Sequence, residues 1–428
     1  LLAKVAADRT NQQPGVELSN PLLSEKTQAF VPEKRAGVFT TPAGDKVNAQ
    51  RLGAGYLLPD VTVPAFGTTA LTFTPSQTPA PVPQPCEANA IETPHYKIAW
   101  NAAGQLTSVY DKDNQREAIR PGGLGNVLTI YEDRPTAFSN WNIDADYPDK
   151  SRVLAAESIT TYQEAAGYRV VFKYRFDQST ITQTLIAANA ARRLDFKTTA
   201  DWHQHELLLR TNFDLNVLTD QATYDIQFGN IQRSVARNTS WEQAKFEVVG
   251  HQWAEMAQRN FGVALLNDCK YGYAATARGL SLSLIKCGVY PDTDADQGLH
   301  EFTYSLLPHR GDFIEGQVAE EAAALNDPVV VRQNTASGLK PLFTFSGAEA
   351  VQVDAIKLSE DGDAVIVRVH NNTPGDTQLA VTPTFDYASA ARVALDESVK
   401  QPLSAEADGS FALALKPYEI VTVAFKQV

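Results

Sequence analysis

Three cysteines in 428 residues, Cys86, Cys269 and Cys287, are too few and too scattered for a disulfide framework. None forms a C-x-x-C pair, so a reducing, cytoplasmic location is expected. Positive charge is short as well: 37 lysines and arginines stand against 50 aspartates and glutamates, for a net charge of −13. A surface of that sign repels phosphate, which argues against nucleic acid and anionic membrane surfaces as partners. No apolar run approaches the ~20 residues that span a bilayer as a helix. The H-E-x-x-H, G-x-S-x-G and G-K-[S/T] signatures are missing, and with them the usual zinc-protease, serine-hydrolase and phosphate-loop chemistries. Methionine occurs once, at Met256. The opening LLAKVAADRTNQQPG turns polar too early for a secretory leader, and a cut is expected ahead of Leu1.

What is present is globular material, 43% hydrophobic and 20% charged, long enough for about three domains at ~150 residues each. Residues 1–13 read as the end of a helical segment, stopped by Pro14-Gly15. Residues 14–75 carry short strands between Pro, Gly and Asp turns, the texture of a small β-sandwich. A proline-rich linker follows at 76–86 (SQTPAPVPQPC). Residues 87–335 are again strand-rich, with hairpin turns expected at Asn101–Gly104 and Asp111–Asn114 and one helix near 316–325. Helices for repeated βαβ crossovers are missing, so antiparallel pairing in one large two-sheet sandwich is expected. Residues 341–428 alternate cleanly, as in Ala364-Val-Ile-Val-Arg-Val-His370, and predict a second small sandwich of immunoglobulin type.

Candidate chemistry is confined to a few places. Asp201, His203 and His205 would share one face if all lay in a strand, and His with carboxylate suits zinc; structural histidines are the simpler account. Glu132, Asp133, Asp144 and Trp141 combine acids, which accept hydroxyl protons, with a flat ring that can cover the C–H face of a sugar. A turn with an Asp–Arg pair and a buried Trp explains the same residues. The stretch from His251 to His309 is richer. Two short apolar runs, Phe261–Leu266 and Leu280–Ile285, flank Asp268-Cys269-Lys270-Tyr271-Gly272-Tyr273. This reads as a hairpin whose tip projects a cation and a phenol, with Gly272 permitting the turn and Lys270 able to pair with Asp268.

The wording of these segments resembles glycoside hydrolase family 38, the zinc-dependent α-mannosidases. The resemblance is carried by Gly104-Gln-Leu-Thr-Ser-Val-Tyr-Asp111, Tyr131-Glu-Asp133-Arg134-Pro135, Trp141-Asn-Ile-Asp144 and His251-Gln-Trp253-Ala254. It continues through the Asp268–Tyr273 run, Ala295-Asp296-Gln297-Gly298, His300-Glu301-Phe302 and Lys416-Pro417-Tyr418-Glu419. It covers nearly the whole chain and follows the family's C-terminal half. It implies an all-β fold, a large galactose-mutarotase-like super-sandwich flanked by two small immunoglobulin-like sandwiches. It also implies a missing N-terminal catalytic barrel that holds zinc and the catalytic carboxylates, with no cofactor expected in this chain. Mannose-containing glycans would be the substrates, met here by Asp133, Trp141, Asp144, Asp268, Lys270 and Tyr271. Asn140 and Asn142 stand where the family commonly has aspartate. A stand-alone carbohydrate-binding module and a mutarotase-like epimerase are the rival readings; the latter needs a His/Glu pair, yet His300 and Glu301 face opposite sides of a strand. Homo-oligomerisation is left open.

The chain by itself is expected to hydrolyse no aryl α-mannoside. Zinc-restorable activity after chelation would return Asp201, His203 and His205 to a ligand role.

Overall fold

The computed structural model describes residues 15–26, 28–52, 54–76, 83–164, 166–333 and 340–428. The expected helical end at 1–13 and most of the proline-rich linker lie outside them. All the named strands pair antiparallel. The chain divides into two compact units. One comprises 1–82, 227–230 and 327–428, the other 83–226 and 231–326. No helix among the described residues is long and apolar enough to cross a membrane.

The second unit is built on a ten-stranded and a six-stranded sheet, with a smaller four-stranded sheet beside them. The turns expected at its start are there. Tyr96–Trp100 pairs with Leu106–Asp111 across a turn in which Asn101 Oδ1 accepts from the amides of Ala103 and Gln105. Gly104 sits at φ +80°, which a side chain would resist. The next turn is closed by Asp111 Oδ1, which accepts from the amides of Asp113 and Asn114.

One core fills the space between the large sheets. Leu128, Ile130, Leu209, Phe213 and Leu282 meet Phe172, Leu185, Phe196, Val263 and Leu265 there. The strand Phe261–Asn267 is buried along its whole length, because its two faces pack against different partners. Val263 and Leu265 point into the main core, while Ala264 and Leu266 join Trp253, Leu307 and Phe313 in a second cluster. The helix Val318–Asn326 covers that cluster with Val318 and Ala322, one turn apart on the same face. Two-sided burial is why this strand reads as a continuous apolar run rather than an alternating one.

A polar cluster bolts the main core together. Tyr304, from the ten-stranded sheet, donates its hydroxyl to Asn126 Oδ1 at 2.5 Å and accepts from Gln183 Nε2 at 2.8 Å. Asn126 Nδ2 donates to Gln183 Oε1 at 2.6 Å, and Gln183 reaches Thr198 at 3.0 Å. All four are essentially inaccessible. Asn126 leads into the strand Val127–Glu132 of the six-stranded sheet, so the cluster links the two sheets.

The first unit holds two small cores. Val16, Leu18, Val31, Phe39, Tyr56 and Leu71 form one. Its four-stranded sheet includes Val330–Gln333, paired with Val16–Ser19, so the large domain gives up its expected last residues to this sheet. The other core, around Phe343, Val367, Phe411 and Phe425, lies between a three-stranded and a five-stranded sheet.

Tyr304→Phe should leave Asn126 and Gln183 short of a partner in a dry interior, at a cost of about 1–3 kcal/mol. A urea midpoint unchanged from that of the parent chain would mean the cluster adds nothing to stability.

Candidate functional site

The strand Val127–Glu132 ends where Leu207–Asp214 begins, and Gly279–Lys286 ends beside it, with Glu132 opposite Leu207 and Lys286 opposite Leu208. Gly272–Thr276 starts at this same end. The loop bearing Asp133, Trp141 and Asp144 leaves the six-stranded sheet at this end, and the run bearing Asp268, Lys270 and Tyr271 enters it from a strand of the ten-stranded sheet, which makes two groups.

Asp133 is the centre of the first group. It is 1% exposed, and its amide donates to Glu206 O at 2.8 Å. Lys286 Nζ donates to its Oδ2, which ties two strand ends together across the strand between them. Its Oδ1 is buried without a partner. Burial raises the Asp133 pKa above the ordinary carboxylate range; Lys286 opposes the shift, and Glu247 and Asp144 add to it. Asp144 serves its own loop, accepting from Thr136 N and Oγ1 at 2.8 Å each, and those bonds lower its pKa. Asp133, Asp144, Asp146, Tyr147 and Asp149 line a cleft of about 140 Å³. That is below the ~300–1,000 Å³ of usual ligand pockets, too small to enclose a ligand by itself.

Trp141 is not buried. It is 68% exposed and stacks on Phe138 with ring centroids 5.3 Å apart and planes 12° off parallel. Tyr290 lies 5.6 Å from Phe138, which makes a row of three exposed rings. The loop beneath is well held. Ser139 Oγ accepts from the amides of Val289 and Tyr290, and Asn140 donates to Asp292 O at 3.1 Å. Asn142 donates to Ala137 O at 2.7 Å. The two asparagines that depart from the family's wording therefore bind loop backbone.

The second group differs from the sequence reading. The run Asp268–Tyr273 is an arch between sheets and not a hairpin: Phe261–Asn267 pairs within the ten-stranded sheet, Gly272–Thr276 within the six-stranded one. Asp268 accepts from Thr303 N at 2.9 Å instead of pairing with Lys270. Lys270 Nζ lies 4.4 Å from the centroid of the Phe302 ring, a cation–π contact. Tyr271 is 58% exposed and meets His251 edge-on at 5.9 Å. Gly272 is needed for space rather than for its turn: an added Cβ would come within 2.2 Å of Glu247 Oε1.

Sequence reading missed what lies beneath. Arg210 is 1% exposed on the sheet face opposite the main core. It donates to Tyr147 Oη, to Glu247 at 2.9 Å and to Ser281 at 3.2 Å. Its one signal was a lone charge inside Leu207-Leu-Leu-Arg-Thr-Asn-Phe. Lys286 and Tyr290 had none, being roughly 150 residues from their partners. Asp201 and His203 pair with each other at 2.9 Å, both about half exposed, and the strand stops at Trp202, so the face-sharing argument fails at His203. Among the described residues no group of three His, Cys, Asp or Glu could hold a metal ion. His300 Nε2 contacts Asp296 O at 2.9 Å, while Glu301 is exposed.

Two family models match this chain. "Glycosyl hydrolases family 38 C-terminal domain" matches residues 91–294, and "Glycosyl hydrolases family 38 C-terminal beta sandwich domain" matches residues 350–423. The chain belongs to glycosyl hydrolase family 38 and carries its C-terminal β-domains. Alpha-mannosidase G of Dictyostelium discoideum is 33% identical over 313 residues, 70% of this chain and 28% of that protein. Human Alpha-mannosidase 2C1 is 33% identical over 342 residues, 77% of this chain and 31% of that protein. The chain thus spans about a third of the length of these relatives. The crystal structure of an alpha-mannosidase from Enterococcus faecalis V583 shares the fold, with a TM-score of 0.74 at 15% identity over 96% of this chain and 56% of that one.

Lys286→Met should cost about 3–5 kcal/mol at pH 7, because it strands a buried carboxylate. Without Lys286 the Asp133 pKa rises further. The loss is then smallest below the ordinary carboxylate pKa, where Asp133 is protonated, and grows as pH rises through the elevated one. Urea unfolding at pH 3.5 and 7.5 tests this; equal losses at both would contradict it.

Proposed function

We propose that this chain is the supporting C-terminal half of a retaining, zinc-dependent α-mannosidase acting on terminal α-mannosides, and that it forms part of the substrate cleft. Family membership and relatives named as alpha-mannosidases support the activity. The observation that supports a direct part in substrate binding is that the Asp133 loop leaves the six-stranded sheet, and the Asp268–Tyr273 run enters it, at strand ends on the same side. Mannose-containing glycans and a cytoplasmic location belong to the same reading.

Stacked rings offer a flat apolar surface to the C–H face of a pyranose, and carboxylates accept from its hydroxyls. Retaining hydrolysis needs two carboxyl groups roughly 5–5.5 Å apart, one free to attack and one free to donate. Asp133 is committed to Lys286 and Asp144 to Thr136, so the role assigned to them is binding and loop support. The described residues do not fit a zinc site. Zinc and the reacting carboxylates would come from the part of the relatives that this chain does not span.

In the complete enzyme, Trp141→Ala, Lys270→Ala and Tyr271→Phe should each lower kcat/KM roughly tenfold with little change in Tm, since Trp141 and Tyr271 are exposed and a lost substrate contact of this kind is worth about 1.5–3 kcal/mol. Unchanged kinetics in all three would remove both loops from the substrate path.

A further inference from the structure

The C-terminal sandwich of the first unit carries a concavity of its own. It is a cleft of about 690 Å³, within the usual range for ligand pockets. Its walls come from the two edge strands, Val399–Leu403 of the five-stranded sheet and Phe411–Leu415 of the three-stranded one, and from the turn Lys416–Glu419. In a chain of net charge −13, three cations line it: Arg392, Lys400 and Lys416.

Their placement is specific. Arg392 stands opposite Gln401 and Val393 opposite Val399, so Lys400 is the extra residue of a β-bulge, a device that re-aims a side chain at a sheet edge. Glu419, one of the two acids in the lining, is fully engaged. One oxygen accepts from Arg392 at 2.5 Å and the other from the Lys416 amide at 2.9 Å. Arg392 is thereby fixed by one nitrogen and keeps further N–H donors to offer. Neither Lys400 nor Lys416 forms an ion pair among the described residues. Asp396, beside Lys400, is already held by Ser398 N and Oγ. That leaves Asp376 as the acid in the lining with no partner among the described residues. Gln378 and Gln401 add amides, while Ala414, Leu415 and Pro417 add an apolar floor.

We propose that this cleft binds a small saccharide carrying one phosphate group. Arg392, Lys400 and Lys416 take the anion; Asp376, Gln378 and Gln401 take hydroxyls. Fixed cations around an anion give stronger hydrogen bonds than neutral donors, and the amides and apolar floor suit a polyhydroxylated ring more than a bare ion.

The test is calorimetric titration of the full chain with mannose 6-phosphate, inorganic phosphate and mannose at low salt. Saturable binding of mannose 6-phosphate, weakened at least tenfold by Lys400→Glu and by Lys416→Glu and stronger than that of either fragment, is the expected result. Both lysines are exposed, so the variants should keep the parent Tm. No saturable binding of mannose 6-phosphate overturns the proposal, and so does binding that both variants leave unchanged. Inorganic phosphate binding as tightly as the phosphosugar overturns the assignment to a saccharide. Since the titration needs no hydrolysis, its outcome is independent of the α-mannosidase reading.

Discussion

Two sheets can be pressed together by apolar contact alone, but apolar contact tolerates sliding. The buried bridge from Asn126 through Gln183 to Tyr304 does not. Each bond in it has one satisfactory geometry, and a mispaired arrangement would leave amides and a hydroxyl dry and unmatched. With that lock in place, the ends of Val127–Glu132, Leu207–Asp214 and Gly279–Lys286 have fixed heights. The ion pair of Asp133 with Lys286 can then form across them. The site-bearing loops inherit their positions from the core.

Much of the fold was legible because its signals are local. Period-two alternation marked the strands around Val365 and Val421, Asn and Gly marked the turn at 101–104, and the Glu- and Ala-rich segment marked the helix that runs from Val318 to Asn326. The arch at Asp268–Tyr273 was misread for a physical reason. An apolar run, a short polar loop and another apolar run describe a hairpin and a crossing between stacked sheets equally well. Only the identity of each strand's partner separates the two, and for Phe261–Asn267 that depends on residues such as Thr303, farther along the chain. The join of Val330–Gln333 to Val16–Ser19 escaped notice for the same reason.

The candidate site was half legible. Its residue types stood out, but not their duties. Asp144 holds a loop, Asp268 secures an arch, and Trp141, which looked equally like a core residue, lies on the surface against Phe138. A fully buried basic residue, Arg210, was hidden because one basic side chain in a leucine-rich strand looks like noise. It is fixed by Tyr147 and Glu247, and Glu247 in turn needs the bare backbone at Gly272. A substitution at that glycine would thus be felt at both loop groups.

The strand Val16–Ser19 has neighbours on both sides. One of them, Thr68–Pro75, follows within about 60 residues; the other, Val330–Gln333, arrives only after about 250 more. During synthesis at ~5–20 residues per second, the first sheet emerges with a bare edge and keeps it while the whole large domain is being made. An uncovered edge is an invitation to pair with the wrong strand. The order of synthesis therefore holds this sheet open until Gln333 has emerged, and makes its waiting edge a place where a nascent chain is in need of shelter.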